Sequence, residues 1–352
     1  MKTNVLTLIA IIATIFLVSC EKEIEFKGEQ TDSKLVINSI VEPGEPVKAY
    51  ISKSMFFLDN EGNSHPPADL VATLFVNDNR IGEMTPKDDT VWQGYQYVDL
   101  DSVKPVYKTV LAYVSDYRPN EGDIVKITAM ANGFDDVDGS TSPLPNEVAW
   151  SFLGYQIIDL EYIEPYEGYY DEFEEDTIWH ITGKIELTIE VTDPNPGQID
   201  YFRILVGDAS FSEDVNVDGL YIGVSYDDPV FGANISNDDV ITIDFNDFQS
   251  RPQGVFTDVI FDGRSYQIKL PLNLNLNLVG GTLPEYLQLP VSMEHLSKEY
   301  YNYLNTCEQA DEIMQFFAEP VQTFNNVNGG YGIVAGNTLD SRSINLPLEP
   351  NR

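Results

Sequence analysis

Cysteine is nearly absent from this chain, with two copies in 352 residues, Cys20 and Cys307. Histidine is scarcely commoner: His65, His180 and His295 are the three copies. Basic side chains are scarce too, 20 against 57 acidic ones, which gives a formal net charge of −37. Each shortage removes a class of reading. Two cysteines cannot build the dense disulfide framework of small exported domains. None of the three histidines has a second His or Cys at ligand spacing, which disfavours a zinc centre. A chain this acidic repels phosphate backbones and anionic lipid surfaces, so nucleic acid is not an expected partner. No Gly-x-Ser-x-Gly elbow occurs, and that motif is what positions the serine of α/β-hydrolases. No catalytic residue and no cofactor is expected. Beyond residue 18 there is no further long apolar run, so no spanning helix is expected downstream.

The N-terminus is where sequence is most informative. Lys2 precedes an apolar run from Val5 to Val18, broken only by threonines. That run is short for a bilayer span and suits the greasy core of a secretory signal. It ends in Leu17-Val18-Ser19-Cys20, which resembles a lipobox. Residues 1–19 are therefore expected to be removed as a signal peptide. The thiol of Cys20 would carry palmitate-type acyl chains, and residues 20–33 would form a lipidated tether. Several chains on one residue hold a protein stably, whereas one chain is marginal. The alternatives are an ordinary cleaved signal and an uncleaved anchor. Glu21, not Asp, follows the cysteine, so the usual inner-membrane retention signal is missing. Glu21-Lys22-Glu23-Ile24-Glu25 resembles the acidic export tags of surface lipoproteins in Bacteroidota. With Cys20 acylated, Cys307 has no intramolecular partner.

The rest reads as mainly β. Apolar residues make up 43% and aromatics 12% of the chain, enough for packed cores. Residues 34–41 form a run of strand length, and Val47, Ala49 and Ile51 share one face of a second strand. A strand over 69–77 turns at Asp78-Asn79 into 80–84, a hairpin signal. Residues 122–130 give another strand. The pattern predicts an N-terminal Ig-like β-sandwich over 34–147. Ser142-Pro143-Leu144-Pro145-Asn146 then makes a stiff connector. A second β-rich domain is expected over 148–352. Within it, Ile185, Leu187, Ile189 and Val191 line one face of a strand. Asp193-Pro194-Asn195-Pro196-Gly197 is expected to turn that strand into a hairpin with 201–206. Asp262-Gly263 is expected to close a second hairpin, between 256–261 and 266–272. The acidic, tyrosine-rich stretch 165–176 reads as a loop. One helix is expected near 297–306, capped by Ser297, with Tyr300, Tyr303 and Leu304 on one face.

Candidate sites are few. Asp135, Asp136 and Asp138 sit near a glycine turn and offer the oxygen ligands that calcium prefers. Asp59-Asn60-Glu61-Gly62-Asn63 is similar. Neither completes a twelve-residue calcium loop, and plain Asp-Gly turns are the competing reading. Trp92, Trp150 and Trp179 either line a sugar or peptide groove or fill the cores, with filling preferred.

Several segments together resemble one family. They are Cys20-Glu21-Lys22 with Lys34-Leu35-Val36-Ile37-Asn38, then Ser297-Lys298-Glu299-Tyr300-Tyr301-Asn302-Tyr303-Leu304. The third is Phe317-Ala318-Glu319-Pro320-Val321, followed by residues 325–336. The resemblance is to Bacteroidota lipoproteins of the domain of unknown function 4249 family. Val334 stands where the family ending usually has an aromatic. The resemblance implies a surface-directed outer-membrane lipoprotein, often found with TonB-dependent transporters, and no catalytic residue. The expectation is a non-enzymatic binding or accessory subunit of such a transporter in nutrient uptake. The alternatives are a structural protein of an envelope assembly and a glycan- or peptide-acting hydrolase.

Overall fold

A computed structural model describes residues 32–55, 65–97, 103–170, 174–207, 209–211, 216–235, 241–243, 254–279, 285–311 and 323–347. The fold is mainly β. In chain order the strands are β1 (Leu35–Val41), β2 (Val47–Lys53), β3 (Val71–Val76), β4 (Asn79–Glu83), β5 (Thr85–Tyr97), β6 (Val103–Ser115), β7 (Val125–Met130), β8 (Val137–Ser140), β9 (Ala149–Tyr170) and β10 (Glu174–Thr192). They continue as β11 (Tyr201–Val206), β12 (Ser210–Phe211), β13 (Asn216–Val224), β14 (Ala233–Ile235), β15 (Ile241–Ile243), β16 (Val255–Thr257), β17 (Ser265–Val279), β18 (Tyr286–Leu296), β19 (Val327–Asn328) and β20 (Tyr331–Pro347). A single helical turn spans Pro229–Gly232, and a helix spans Lys298–Asp311. Among the described residues no helix is long and apolar enough to cross a membrane.

Two cores form. Period-two alternation builds the first: Leu35, Ile37 and Val41 of β1 and Val47, Ala49 and Ile51 of β2 are buried. They pack with Ala72, Leu74 and Val76 of β3 and Val125, Ile127 and Ala129 of β7. Sheet order β19-β8-β7-β3-β4 covers one side of this core. The second core lies between β13-β17-β10-β9 and the β16-β11-β18-β20 end of the largest sheet. Ile185, Leu187, Ile189 and Val191 of β10 are buried there, as their alternation requires.

The largest sheet runs through both sandwiches in the order β16-β11-β18-β20-β1-β2-β6-β5. Its continuity rests on β20. Residues 331–336 pair in parallel with β1, from Val36↔Tyr331 to Val41↔Gly336. From Leu296↔Asn337 to Tyr286↔Pro347 the same strand pairs antiparallel with β18. Val334 is thus buried in the first core, while Ile344 and Leu346 are buried in the second. Val327 of β19, which pairs with β8, also belongs to the first core. Ser297 marks the exchange point: its amide donates to the Gly336 carbonyl at 2.8 Å, and its hydroxyl accepts from the Gly336 amide at 3.0 Å. The same hydroxyl caps the helix through the Tyr300 amide, as a serine at that position should.

Some sequence expectations shift. The β3–β4 hairpin turns at Asn77-Asp78, both at positive φ, one residue earlier than expected. The stretch 165–176 is strand backbone to Tyr170 and again from Glu174, so β9 and β10 form a long ribbon instead of flanking a wide loop. The expected helix is present and extends to Asp311. The two hairpins expected at Asp193 and Asp262 are not hairpins. β10 pairs with β9 and β17, whereas β11 pairs with β16 and β18. Both turns carry the chain from one sheet to the other.

Gly332 fixes the seam between β20 and β1. Its φ is +113°, and a Cβ there would stand 2.1 Å from the Ile37 carbonyl oxygen. Replacing Gly332 with alanine should cost on the order of 2–4 kcal/mol through backbone strain and displaced strand pairing. Chemical denaturation should show a lower midpoint for the variant; an unchanged midpoint would mean that the seam yields freely.

Candidate functional site

The two sheet-crossing corners stack on one another at one end of the second sandwich. The first spans 193–200, between β10 and β11; the second spans 258–264, between β16 and β17. Pro194 and Pro196 stiffen the first. Aspartates lace the two together. Asp193 accepts the Asn195 amide at 2.7 Å, an Asx turn, and its other oxygen accepts the Gly263 amide across the gap. Asp262 returns the tie by accepting the Gly197 amide at 2.7 Å. Asp258 and Asp200 join at the strand ends: the Asp258 amide donates to the Asp200 carbonyl, and the Asp200 amide donates to Asp258 Oδ1 at 3.1 Å.

One oxygen in this network is left over. Asp258 is 1% exposed. Its Oδ2 is buried and has no hydrogen-bond partner. An unpaired buried carboxylate oxygen is costly. Burial, with the charges of Asp200 and Asp193 added, pushes the Asp258 carboxyl up to about 7. Oxygens of Asp193, Asp258 and Asp262 all lie within 4.8 Å of one another. Among the described residues this is the group of three or more acidic, histidine or cysteine side chains close enough to hold a metal ion.

Asp200 belongs to a second layer. Both its oxygens accept from Asn195 Nδ2, at 3.1 and 3.0 Å. His295 Nε2 lies 3.3 Å from Asp200 Oδ1, and the buried imidazole stacks on Phe202 with centroids 5.0 Å apart. His295 Nδ1 meets the Asn146 carbonyl at 2.9 Å. A carbonyl only accepts, so Nδ1 carries hydrogen. Thr338 Oγ1 of β20 donates to the same carbonyl. The connector residue Asn146 is thereby held by β18 and β20 together, and its Nδ2 reaches Asn195 Oδ1 at 3.4 Å.

A separate polar cluster lies beneath the Lys298–Asp311 helix. Arg203 and Glu294 are cross-strand neighbours, with Nη1 and Oε2 3.8 Å apart. Arg203 Nε and Glu294 Oε2 are buried without hydrogen-bond partners. Burial raises the Glu294 carboxyl and the Tyr300 phenol from their usual ranges.

The residues favoured from sequence fall elsewhere. Cys20 and the 59–63 loop lie outside the described residues. Asp135 and Asp136 are exposed, and Asp138 is a strand residue of β8. Asp138 Oδ2 takes Lys126 Nζ at 3.4 Å and Asn328 Nδ2 at 3.2 Å. Asp136 and Asp138 rim an open groove of about 370 Å³ on the outer face of the first sandwich, floored by Val71, Phe75 and Met130. They are not among the converging carboxylates. Trp150 is buried, donating from Nε1 to Asp340 under the Arg342 guanidinium, 4.3 Å from its ring. Trp92 is 57% exposed, and the Trp179 side chain lies outside the described ones. His65 is exposed, His180 bonds to Asn277, and Cys307 is a half-buried free thiol. The four corner aspartates were not singled out from sequence. Their signal is two turn motifs, one with Asp, Pro and Gly at 193–200 and one with two Asp and a closing Gly at 258–263.

The raised carboxyl makes stability depend on pH. Between the ordinary aspartate value of 3.8 and about 7, the native protein holds a proton on Asp258 that the unfolded chain has released. Stability from this group is therefore full at low pH and lost as pH rises through about 7. Asp193, Asp200, Asp262 and the Tyr201 phenol are titratable groups around it, with His295 behind Asp200. In metal-free buffer at pH 8, Asp258→Asn should be more stable than the parent by about 2 kcal/mol. Urea denaturation at pH 5 and pH 8 checks this; a variant less stable at both values would contradict it.

Comparison with known proteins adds the family. No curated protein matches the chain. A solved structure named BspA_C_mut aligns with 77% of this chain and 96% of its own length, at 9% identity and a TM-score of 0.16; a likeness that weak carries no argument. The family model described as domain of unknown function DUF4249 matches residues 21–343. The chain belongs to the DUF4249 family.

Proposed function

We propose that this protein is an outer-membrane lipoprotein held by acyl chains on Cys20, and that it serves as a non-enzymatic binding or accessory subunit of a TonB-dependent transporter in nutrient uptake. The observation that carries the anchoring is Leu17-Val18-Ser19-Cys20 behind a short apolar run. The family match beginning at residue 21, directly after that cysteine, supports it. β1 opens at Leu35. The chain between Cys20 and β1 can span at most about 50 Å at full extension. The start of β1 then stays within about 50 Å of the acylated residue. Removal of residues 1–19 takes away one positive charge, Lys2, and no acid, so the full-chain charge of −37 becomes −38, and such a body resists lying flat on anionic headgroups.

The accessory reading is favoured over the hydrolytic one by how the polar side chains are used. His295, His180 and the corner aspartates hold main-chain and amide groups of their own fold. Two sandwiches fused by one sheet offer broad faces and edges for another protein.

Two results test the proposal. Cys20→Ser should abolish incorporation of radiolabelled palmitate and move the protein out of the membrane fraction; a labelled or membrane-bound variant would remove the anchor. Pull-down of the native lipidated protein in mild detergent should recover a TonB-dependent barrel in equal amount. Recovery of the lipoprotein alone would remove the transporter partnership.

A further inference from the structure

We propose that Asp193, Asp258 and Asp262 form a binding site for a calcium-class divalent cation that clamps the two sheet-crossing corners of the second sandwich. Acidic clusters are common on a surface with this charge, so proximity alone is weak. The distinguishing observation is Asp258 Oδ2, a buried oxygen with no partner on a side chain that is 1% exposed. Its companion Oδ1 is already committed to the Asp200 amide. A hydrogen-bond donor or a cation is what such an atom lacks. Among the described residues, none of the three carboxylates is paired with a lysine or arginine.

The spacing of the oxygens matches that of ligands around one ion. Oxygens bound at 2.3–2.6 Å to one calcium stand at most about 5 Å apart, and the three carboxylates offer atoms within 4.8 Å of one another. The ligands are oriented before any ion arrives. Asp193 is fixed by the Asn195 and Gly263 amides, and Asp262 by the Gly197 amide. Such outer bonds aim the ligands of a metal site. The trio supplies only oxygen, which selects a hard cation over zinc. Calcium is favoured over magnesium because three carboxylates on two different turns do not enforce an octahedron, and calcium tolerates irregular coordination completed by water. Two of the ligands come from one corner and the third from the other, so the ion would cross-link the corners. Asn195 carries that rigidity to Asp200, and through Asn146 to the connector between the sandwiches.

The test uses the full chain in detergent, stripped with a chelator and titrated with calcium chloride, then magnesium chloride, by calorimetry and thermal melting. The expected result is one calcium per chain and a rise of a few degrees in melting temperature, with magnesium at least tenfold weaker. Asp258→Asn should lose both the heat and the shift while keeping the parent circular dichroism. Asp262→Asn, on the exposed rim, should weaken calcium at least tenfold, and it decides the matter if Asp258→Asn does not fold. Asp138→Asn should change nothing. Absence of heat and shift in the parent would overturn the site, as would calcium binding that survives both Asp258→Asn and Asp262→Asn.

Discussion

A single strand, β20, is shared by two cores, and the continuity of the largest sheet depends on it. Its first six residues pair with β1 and the remaining eleven pair with β18, which joins those two strands into one sheet. Val334 is fully buried in one core, while Ile344 and Leu346 lie in the other. The first described strand pairs with the last, a highly non-local contact of the kind that slows folding. Gly332 and Ser297 serve this arrangement. The glycine lets β20 lie against the Ile37 carbonyl, and the serine bridges the residue at which β20 changes partners.

The corner aspartates extend the same logic to the end of the second sandwich beside the joint. A chain that crosses between sheets leaves main-chain amides without ladder partners, and buried amides need acceptors. Asp193, Asp258 and Asp262 supply them through Asn195, Gly263, Asp200 and Gly197. That solves the hydrogen-bonding problem and creates an electrostatic one, because the acceptors are crowded carboxylates. Asp258 is the most deeply buried of the three, and its Oδ2 is left without a partner. Asn146 joins this region to the connector and to β20 through His295 and Thr338. The candidate site is thus continuous with the joint between the sandwiches, where a bound ion would act on their relative rigidity.

Much of the fold was legible in the sequence. Strict alternation over 183–192 and 47–52 placed the buried faces, because a half-buried strand has no other stable pattern. Ser297 placed the helix start, and the family resemblance agreed with the match over 21–343. What was not legible was the partner of each strand. Asp-Pro and Asp-Gly turns have the same chemistry whether the chain returns within its sheet or crosses to another. Reading them as hairpins separated Asp193 from Asp258 and Asp262, which the crossing brings together. In a chain with 57 acids, composition cannot mark the few that are buried. Residues 135–138 place three acids within four residues beside a glycine, yet Asp138 of β8 is taken by Lys126.

Differential scanning calorimetry on the intact protein tests the shared-strand account most directly. If β20 welds the sandwiches, they unfold together: one endotherm, with calorimetric and van't Hoff enthalpies equal. Two resolved endotherms, one for each core, would show that the strand is an ornament on two independent domains and would contradict the account.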